Sequence, residues 1–252
     1  MFTEDQLSDD KFLNGRLRLW QPLRGYRAAT DPVLLAAACP AAAGDNVLDL
    51  GCGAGAAALC LATRVSGLKL AGLEVQPAYA ELARRNAARH GIDMEVAEGD
   101  LRAMPVALRR DFDQVICNPP YYPAGGTPSP VAARAIAMQV EEVPLGLWIA
   151  TASKRLRPGG WLTMITGADA LPLLLANLGK LGSASVLPLA ARTGHPAKRV
   201  ILRARKGGKA PFRLLSPFVL HHGPTHDGDR EGYTHEASGI LRDGRDFSAQ
   251  FS

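Results

Sequence analysis

Asn118-Pro119-Pro120-Tyr121 is the stretch whose residue types point most directly at chemistry. It follows the apolar run Phe112 to Cys117, which reads as a buried strand cut short by two prolines. Proline donates nothing to a strand ladder and presses the residue before it towards an extended backbone. Asn118 is therefore expected just past the strand's carboxyl end, with its amide and the nearby carbonyls facing a crevice. Open α/β sheets bind ligands at that edge. An amide, two stiffening prolines and an aromatic ring suit a flat, amine-bearing group. Taken alone, the same residues also describe a tight Asn-Pro turn after a strand.

A second constellation lies upstream. Asp45 to Leu50 reads as a buried strand running into Gly51-Cys52-Gly53-Ala54-Gly55 and then an Ala/Leu helix to about Val65. Strand, glycine loop and helix make the nucleotide-binding βα unit, whose glycines let the backbone turn tightly and approach a ligand. A second strand, Leu68 to Val75, carries Glu74 about 20 residues beyond the loop, where a carboxylate accepts ribose hydroxyls. Ile92 to Ala97 is a third strand, delivering Glu98-Gly99-Asp100 to the same edge. The glycines fit two patterns, the dinucleotide G-x-G-x-x-[GA] and D-x-G-x-G-x-G with Asp49, Gly51, Gly53 and Gly55. The acids Asp49, Glu74 and Asp100 and the Asn-Pro-Pro-Tyr stretch fall at the ends of four successive strands. A nicotinamide enzyme has no corresponding use for that last stretch.

The D-x-G-x-G-x-G pattern resembles motif I of class I S-adenosylmethionine-dependent methyltransferases. That resemblance implies a glycine loop at the methionine end of the cofactor, Glu74 on its ribose and Asp100 near its adenine. Asn118 to Tyr121 is similar to the [DNS]-PP-[YFW] motif of amino-methyltransferases acting on adenine N6, cytosine N4 or glutamine N5. The implied chemistry is specific. An exocyclic amine conjugated to a ring or carbonyl has a delocalised lone pair and is a poor nucleophile. Acceptors at Asn118 Oδ1 and the Pro119 carbonyl would orient its two hydrogens and favour pyramidal geometry, while Tyr121 stacks on the planar target. The segments RGYRAATDPVLLAA, NPPYYPAGGTPSP, HPAKRVILRARKG and YTHEASGIL resemble, in order and spacing, the bacterial tRNA adenine-N6 methyltransferases that modify the adenosine beside the valine tRNA anticodon. The acidic N-terminal leader, the Ala-rich first helix and the HHGPTHDGDR insert depart from that family.

The elements that must position these residues form an α/β fold. The expectation is a Rossmann-like, seven-stranded, mostly parallel sheet with helices on both faces and an antiparallel strand near the C-terminus. Residues 1–30 are expected to form an extension covering the cofactor mouth, with the methyltransferase domain at 31–252. In the extension, RLRLW (Arg16 to Trp20) alternates as a strand or hairpin with Leu17 and Leu19 on one face. Thr30 or Asp31 is expected to cap the helix that Pro32 opens. The small-residue stretch 123–138 has the length of a substrate lid. Beyond it come a helix from about Val143 to Leu156, the turn Arg157-Pro158-Gly159-Gly160 launching a strand at Trp161, a helix over Ala170 to Leu181, and strands near Ser185–Leu189 and Lys198–Arg203.

The 252 residues carry a net charge of +5 and a pI near 9.2, a mild lean towards a polyanionic partner. Eight Lys or Arg and no acid lie between Ala191 and Arg213. Arg24, Arg27, Arg192, Lys198 and Arg199 are the candidate RNA-binding residues; a charged, solvated edge strand is the plain alternative. His221, His222 and His226 read as a polar surface loop, so no metal is expected. Four cysteines without CxxC spacing, no apolar run near the roughly 20 residues of a membrane span and a polar, acidic start together suggest a cytoplasmic protein. The sequence thus points to a methyltransferase acting on adenine N6 in RNA, most simply tRNA, with S-adenosylmethionine as cofactor. A release-factor-type glutamine-N5 methyltransferase is the alternative enzyme, and an RNA-binding protein on the same fold the non-enzymatic one.

Overall fold

Apolar runs alternate with alanine- and leucine-rich stretches along most of the chain. The computed structural model, which describes residues 1–120, 143–223 and 232–251, turns that alternation into strands and helices. Tyr121, Tyr122, the expected lid stretch 123–138 and His226 lie outside the described residues. A hairpin of β1 (Leu7–Phe12) and β2 (Leu17–Pro22) precedes α1 (Thr30–Ala38). Then follow β3 (Asn46–Leu50), α2 (Ala56–Arg64), β4 (Lys69–Glu74), α3 (Pro77–Arg89), β5 (Met94–Glu98) and β6 (Phe112–Cys117). After α4 (Leu145–Arg155) come β7 (Leu156–Gly167), α5 (Leu171–Ala176), β8 (Leu181–Ala190) and β9 (Arg199–Lys206). Two-residue strands β10 (Arg213–Leu214) and β11 (Phe218–Val219) and helix α6 (His235–Asp243) complete the set.

The long strands form one sheet in the order β8-β9-β7-β6-β3-β4-β5, with β9 antiparallel to both neighbours. The short β10 and β11 add parallel to β8. Val47, Leu48 and Leu50 of β3 are fully buried, as expected for a parallel strand covered on both faces. Helices α1, α2, α3 and α6 pack on one face around Leu34, Leu59, Ala83 and Ile240. Helices α4 and α5 cover the other through Ile149 and Leu174. The chain winds outward from β3 to β5, then returns to place β6 on the other side of β3. The carboxyl ends of β3 and β6 therefore flank a topological switch point.

Some expected boundaries move for identifiable reasons. Leu156 already pairs with Phe112, so β7 begins before the Arg-Pro-Gly-Gly turn, which becomes an irregularity inside the strand. A Cβ at Gly160 would lie 2.8 Å from the Asp113 carbonyl, so the close strand approach there depends on glycine. Helix α5 stops at Ala176, five residues before the expected end, and Leu181 is drafted into β8. Neither Thr30 nor Asp31 caps α1: Ala29 occupies the cap position, and Asp31 is instead ion-paired with Arg199.

Leu17 and Leu19 point into the core from β2, and both are fully buried. What fixes the hairpin to the sheet is Asn86 of α3, itself fully buried. Its Oδ1 accepts from the Trp20 N–H at 2.8 Å, and its Nδ2 donates to the Trp20 carbonyl at 3.0 Å and the Ala54 carbonyl at 2.9 Å. One side chain thus pairs with the hairpin backbone and the glycine loop together. At the hairpin's other end, Arg16 donates to the Asp243 carbonyl at 2.5 Å and Asn14 to the Asp243 carboxylate at 3.2 Å. Replacing Asn86 by Ala leaves one buried and two part-buried backbone groups without this partner. The expected result is a loss of about 2–3 kcal/mol in urea unfolding, with faster proteolytic cleavage inside residues 1–27. Wild-type protease resistance in that variant would mean the hairpin is held elsewhere.

Candidate active site at the carboxyl edge of the sheet

The loop after β3 turns on three glycines whose φ angles, +69° at Gly51, +55° at Gly53 and +87° at Gly55, lie in the left-handed region. Its backbone is tied to the end of β4. The Gly51 and Cys52 N–H groups both donate to the Leu73 carbonyl, at 2.8 and 3.0 Å. The Gly53 N–H donates to Glu74 Oε2 at 2.9 Å, and Glu74 Oε1 accepts from the Gln76 N–H at 2.9 Å. Asp49 Oδ2 accepts from the Ala58 N–H in the first turn of α2 at 3.3 Å. Trp148 of α4 closes the floor: a Cβ at Gly51 would meet its ring at 2.6 Å.

Two carboxylates are therefore buried side by side, Asp49 at 2% exposure and Glu74 at 6%. Burial pushes the Asp49 carboxyl up to about 8, with the Ala58 N–H opposing the shift and the Glu74 charge reinforcing it. Burial also raises Glu74, against the hydrogen bonds it accepts from the backbone. A cationic ligand would relieve this strain. A tight left-handed glycine turn, a helix N-terminus and a buried carboxylate at the next strand end fit S-adenosylmethionine.

Leu50 and Cys117 are register partners, so Gly51 and Asn118 leave the sheet beside one another. The Asn118 Nδ2 donates to the Tyr26 hydroxyl at 3.1 Å. The Tyr26 ring lies over the glycine loop, 3.8 Å from where a Gly53 Cβ would sit, and the Tyr26 carbonyl accepts from the Tyr79 hydroxyl at 3.1 Å. Desolvation, then the charges of Asp31 and Asp49, push the Tyr26 phenol upward. Pro119 is buried and Pro120 exposed. Tyr26 and Trp148 carry no motif of their own. The only sequence signal for Tyr26 is its place in the RGYRAATDP segment.

Asp100 stands at the same edge, one strand beyond Glu74. It accepts from the Arg102 N–H at 2.7 Å and pairs with its guanidinium at 3.0 Å. Among the candidate RNA-binding residues, Arg24 and Lys198 are exposed. Arg27 pairs with Asp10 at 2.7 Å, Arg192 donates to the His222 and Gly223 carbonyls, and Arg199 pairs with Asp31. The basic run does not form one surface. Because β9 is antiparallel, Arg199 lies opposite Gly167 at the carboxyl edge while Arg205 lies opposite Trp161 at the amino end. Six residues at about 3.3 Å each separate the two groups by roughly 20 Å. Among the described residues no set of three His, Cys, Asp or Glu is grouped to hold a metal ion, and no helix is long and apolar enough to cross a membrane.

A doubly wound sheet with one antiparallel strand, a glycine loop at its switch point and an acid ending the next strand define a class I S-adenosylmethionine-dependent methyltransferase. Residues 29–173 match the methyltransferase small domain model, and the chain belongs to that family. It is 36% identical over 154 residues to the tRNA1(Val) (adenine(37)-N6)-methyltransferase of one Porphyromonas gingivalis strain, a match spanning 58% of this chain and 60% of that relative. With the same enzyme from a second strain it shares 33% identity over 204 residues, covering 77% and 79%. It is also 31% identical over 150 residues to the release factor glutamine methyltransferase of Geobacter sulfurreducens, covering 54% and 50%. Among solved structures, a predicted O-methyltransferase, Atu636 from Agrobacterium tumefaciens, superposes with a TM-score of 0.69 at 26% identity, covering 86% of this chain and 98% of that one.

The buried Asp49 makes stability depend on pH. Its folded pKa of about 8 exceeds the ordinary carboxylate value near 4 of the unfolded chain. Its contribution is therefore fully present below about pH 4 and lost as pH rises through 8. Asp49→Asn, which never ionises, should remove up to about 5 kcal/mol of the wild-type difference between pH 4 and 9 in urea unfolding of ligand-free protein. Parallel pH profiles for the two proteins would show that Asp49 ionises at no cost.

Proposed function

We propose that this chain transfers a methyl group from S-adenosylmethionine to the exocyclic N6 amine of adenine in RNA, most simply a tRNA. The observation that carries the reading is the pairing of Leu50 with Cys117, which seats the Asn-Pro-Pro stretch beside the glycine loop. The bound cofactor supplies an electrophilic methyl on a sulfonium. Asp49, Gly51, Gly53, Gly55, Glu74 and Asp100 hold it, the glycines by backbone approach and Glu74 through the ribose hydroxyls.

Asn118 Oδ1 and the Pro119 carbonyl accept the two amine hydrogens and turn the nitrogen lone pair towards the methyl. Pro120 stiffens the turn, and Tyr121 stacks on the base. By accepting from Asn118 Nδ2, the Tyr26 hydroxyl fixes which side of the amide offers its oxygen. After direct displacement the amine proton passes to water. Residues 1–30 act as the extension over the cofactor mouth and 31–252 as the methyltransferase domain, with Tyr26 the part of the extension nearest the glycine loop. Arg24, Arg27, Arg192, Lys198 and Arg199 supply phosphate contacts around the same edge. The tRNA-modifying relatives and four buried, unpaired cysteines support a cytoplasmic setting.

The release-factor relative supports a second reading, since a glutamine side-chain amide presents the same planar NH₂ group. The basic residues at the edge favour RNA. Labelled S-adenosylmethionine supplied in parallel with total tRNA, ribosomal RNA and release factor separates the two, with the product identified by mass spectrometry. N6-methyladenosine in tRNA is the expected product; label in protein alone would overturn the RNA reading. Asn118→Ala should lower transfer by at least about 100-fold while RNA affinity stays within about twofold. Wild-type turnover in that variant would remove Asn118 from the chemistry.

A further inference from the structure

A cavity of about 460 Å³ opens on the face of the sheet that carries α1 and α6, over the amino halves of β7 and β8 and the carboxyl half of the antiparallel β9. Its floor residue Trp161 lies opposite Gln114, four residues before Asn118, hence about 13 Å back along the strands from the methyl-transfer edge. Three arginines line it, Arg203, Arg205 and Arg213, and among the described residues no acid does. Arg203 is buried, keeping 7% of its surface. Its guanidinium is stacked between the Trp161 ring, 4.9 Å away, and the Phe251 ring, 4.7 Å away. Its Nε is buried with no hydrogen-bond partner among the described residues.

The other groups are arranged around that buried guanidinium. Arg205 is held at the mouth by its Nε bond to the Gly159 carbonyl at 2.9 Å. Arg213 donates to Ser185 Oγ at 3.3 Å and to the Phe251 carbonyl. Ser183 Oγ accepts from the Ala210 N–H at 3.0 Å. Both serine oxygens act as acceptors in these bonds, so their hydroxyl hydrogens remain to be donated. Ser183 is brought here by a break in register between Gly182 and Ser185, with φ at +47°, a region that side chains other than glycine rarely adopt.

A buried arginine stacked on rings satisfies its faces but not its charge, and isolated buried cations are strongly unfavourable. Burial holds Arg203 below the usual arginine range, with Cys39 and the carboxylate of Asp246 opposing the shift and the charge of Arg213 adding to it. Arginine donors from three side chains together with two hydroxyls outnumber the acceptor positions of one carboxylate and match a tetrahedral oxyanion. We propose that this cavity is a phosphate-binding site, accepting the phosphoryl group of a free phosphate or nucleotide or a phosphodiester of an RNA. It is separate from the methyl-transfer edge, and its assignment does not depend on the RNA reading of that edge.

The test uses the full chain and readouts other than methyl transfer. Melting is followed in sodium phosphate and in sodium chloride at equal pH and ionic strength, for wild type and Arg203→Met. At phosphate roughly 100-fold above its Kd, wild type should melt about 5 °C higher than in chloride, and Arg203→Met should lose that increment. Unchanged S-adenosylmethionine affinity reports that the variant is folded. Should Arg203→Met not fold, Arg205→Gln at the exposed mouth must reduce the increment instead. Fluorescence anisotropy with a labelled oligoribonucleotide separates the sources. An approximately tenfold weaker RNA affinity in Arg203→Met assigns the site to an RNA phosphodiester. An unchanged RNA affinity with a lost phosphate increment assigns it to a free phosphate. Equal melting of wild type in the two salts, with RNA affinity indifferent to Arg203 and Arg205, would overturn the proposal.

Discussion

The hydrogen bond from the Gly53 N–H to the Glu74 carboxylate is the contact on which the carboxyl edge depends. Left-handed glycines alone leave a loop with many possible courses; a buried acceptor at the end of the neighbouring strand selects one. The Leu73 carbonyl, accepting from Gly51 and Cys52, fixes the loop's first half by the same means. Holding the acceptor there has an electrostatic consequence. Glu74 sits near Asp49 in a site that excludes water, and two like charges so placed favour an incoming cation. A sulfonium cofactor brings positive charge to such a site, so the interaction that shapes the loop also biases what it holds.

Much of this edge was legible in the sequence because its signals are local. Glycines at positive φ and prolines after a strand impose backbone geometry within a few residues, whatever the rest of the chain does. Phe112 to Cys117 accordingly has the bounds expected of it, and Asn118 stands where two prolines force it to stand. Apolar runs set strand lengths just as locally: Asp49 is the penultimate residue of β3, Glu74 the last of β4, and Asp100 follows β5 by two residues.

What escaped the sequence is what depends on distant partners. Tyr26 reaches Asn118 across 92 residues, and Asn86 is an ordinary helical position until the hairpin backbone arrives beside it. Asp31 has the spacing of a cap but is drawn to Arg199. The basic run from Ala191 to Arg213 looks continuous in one dimension. The reversed direction of β9 divides it between two edges, leaving Arg199 near the methyl-transfer crevice and Arg203, Arg205 and Arg213 around the cavity at the other end. Charge density along a sequence says little about charge density on a surface until strand direction is known.

The hairpin's two anchors differ in when they become available. Asn86 follows Trp20 by 66 residues, so the inner anchor can form while the sheet is still incomplete. Asp243 follows Arg16 by 227 residues, so the outer anchor must wait until that much more of the chain has been made. Contacts closing so long a loop contribute little to the folding nucleus and much to holding the finished state together. During synthesis the glycine loop and its aromatic neighbour Tyr26 therefore lie beside a hairpin fastened at one end only, and helix α6 acts as the latch.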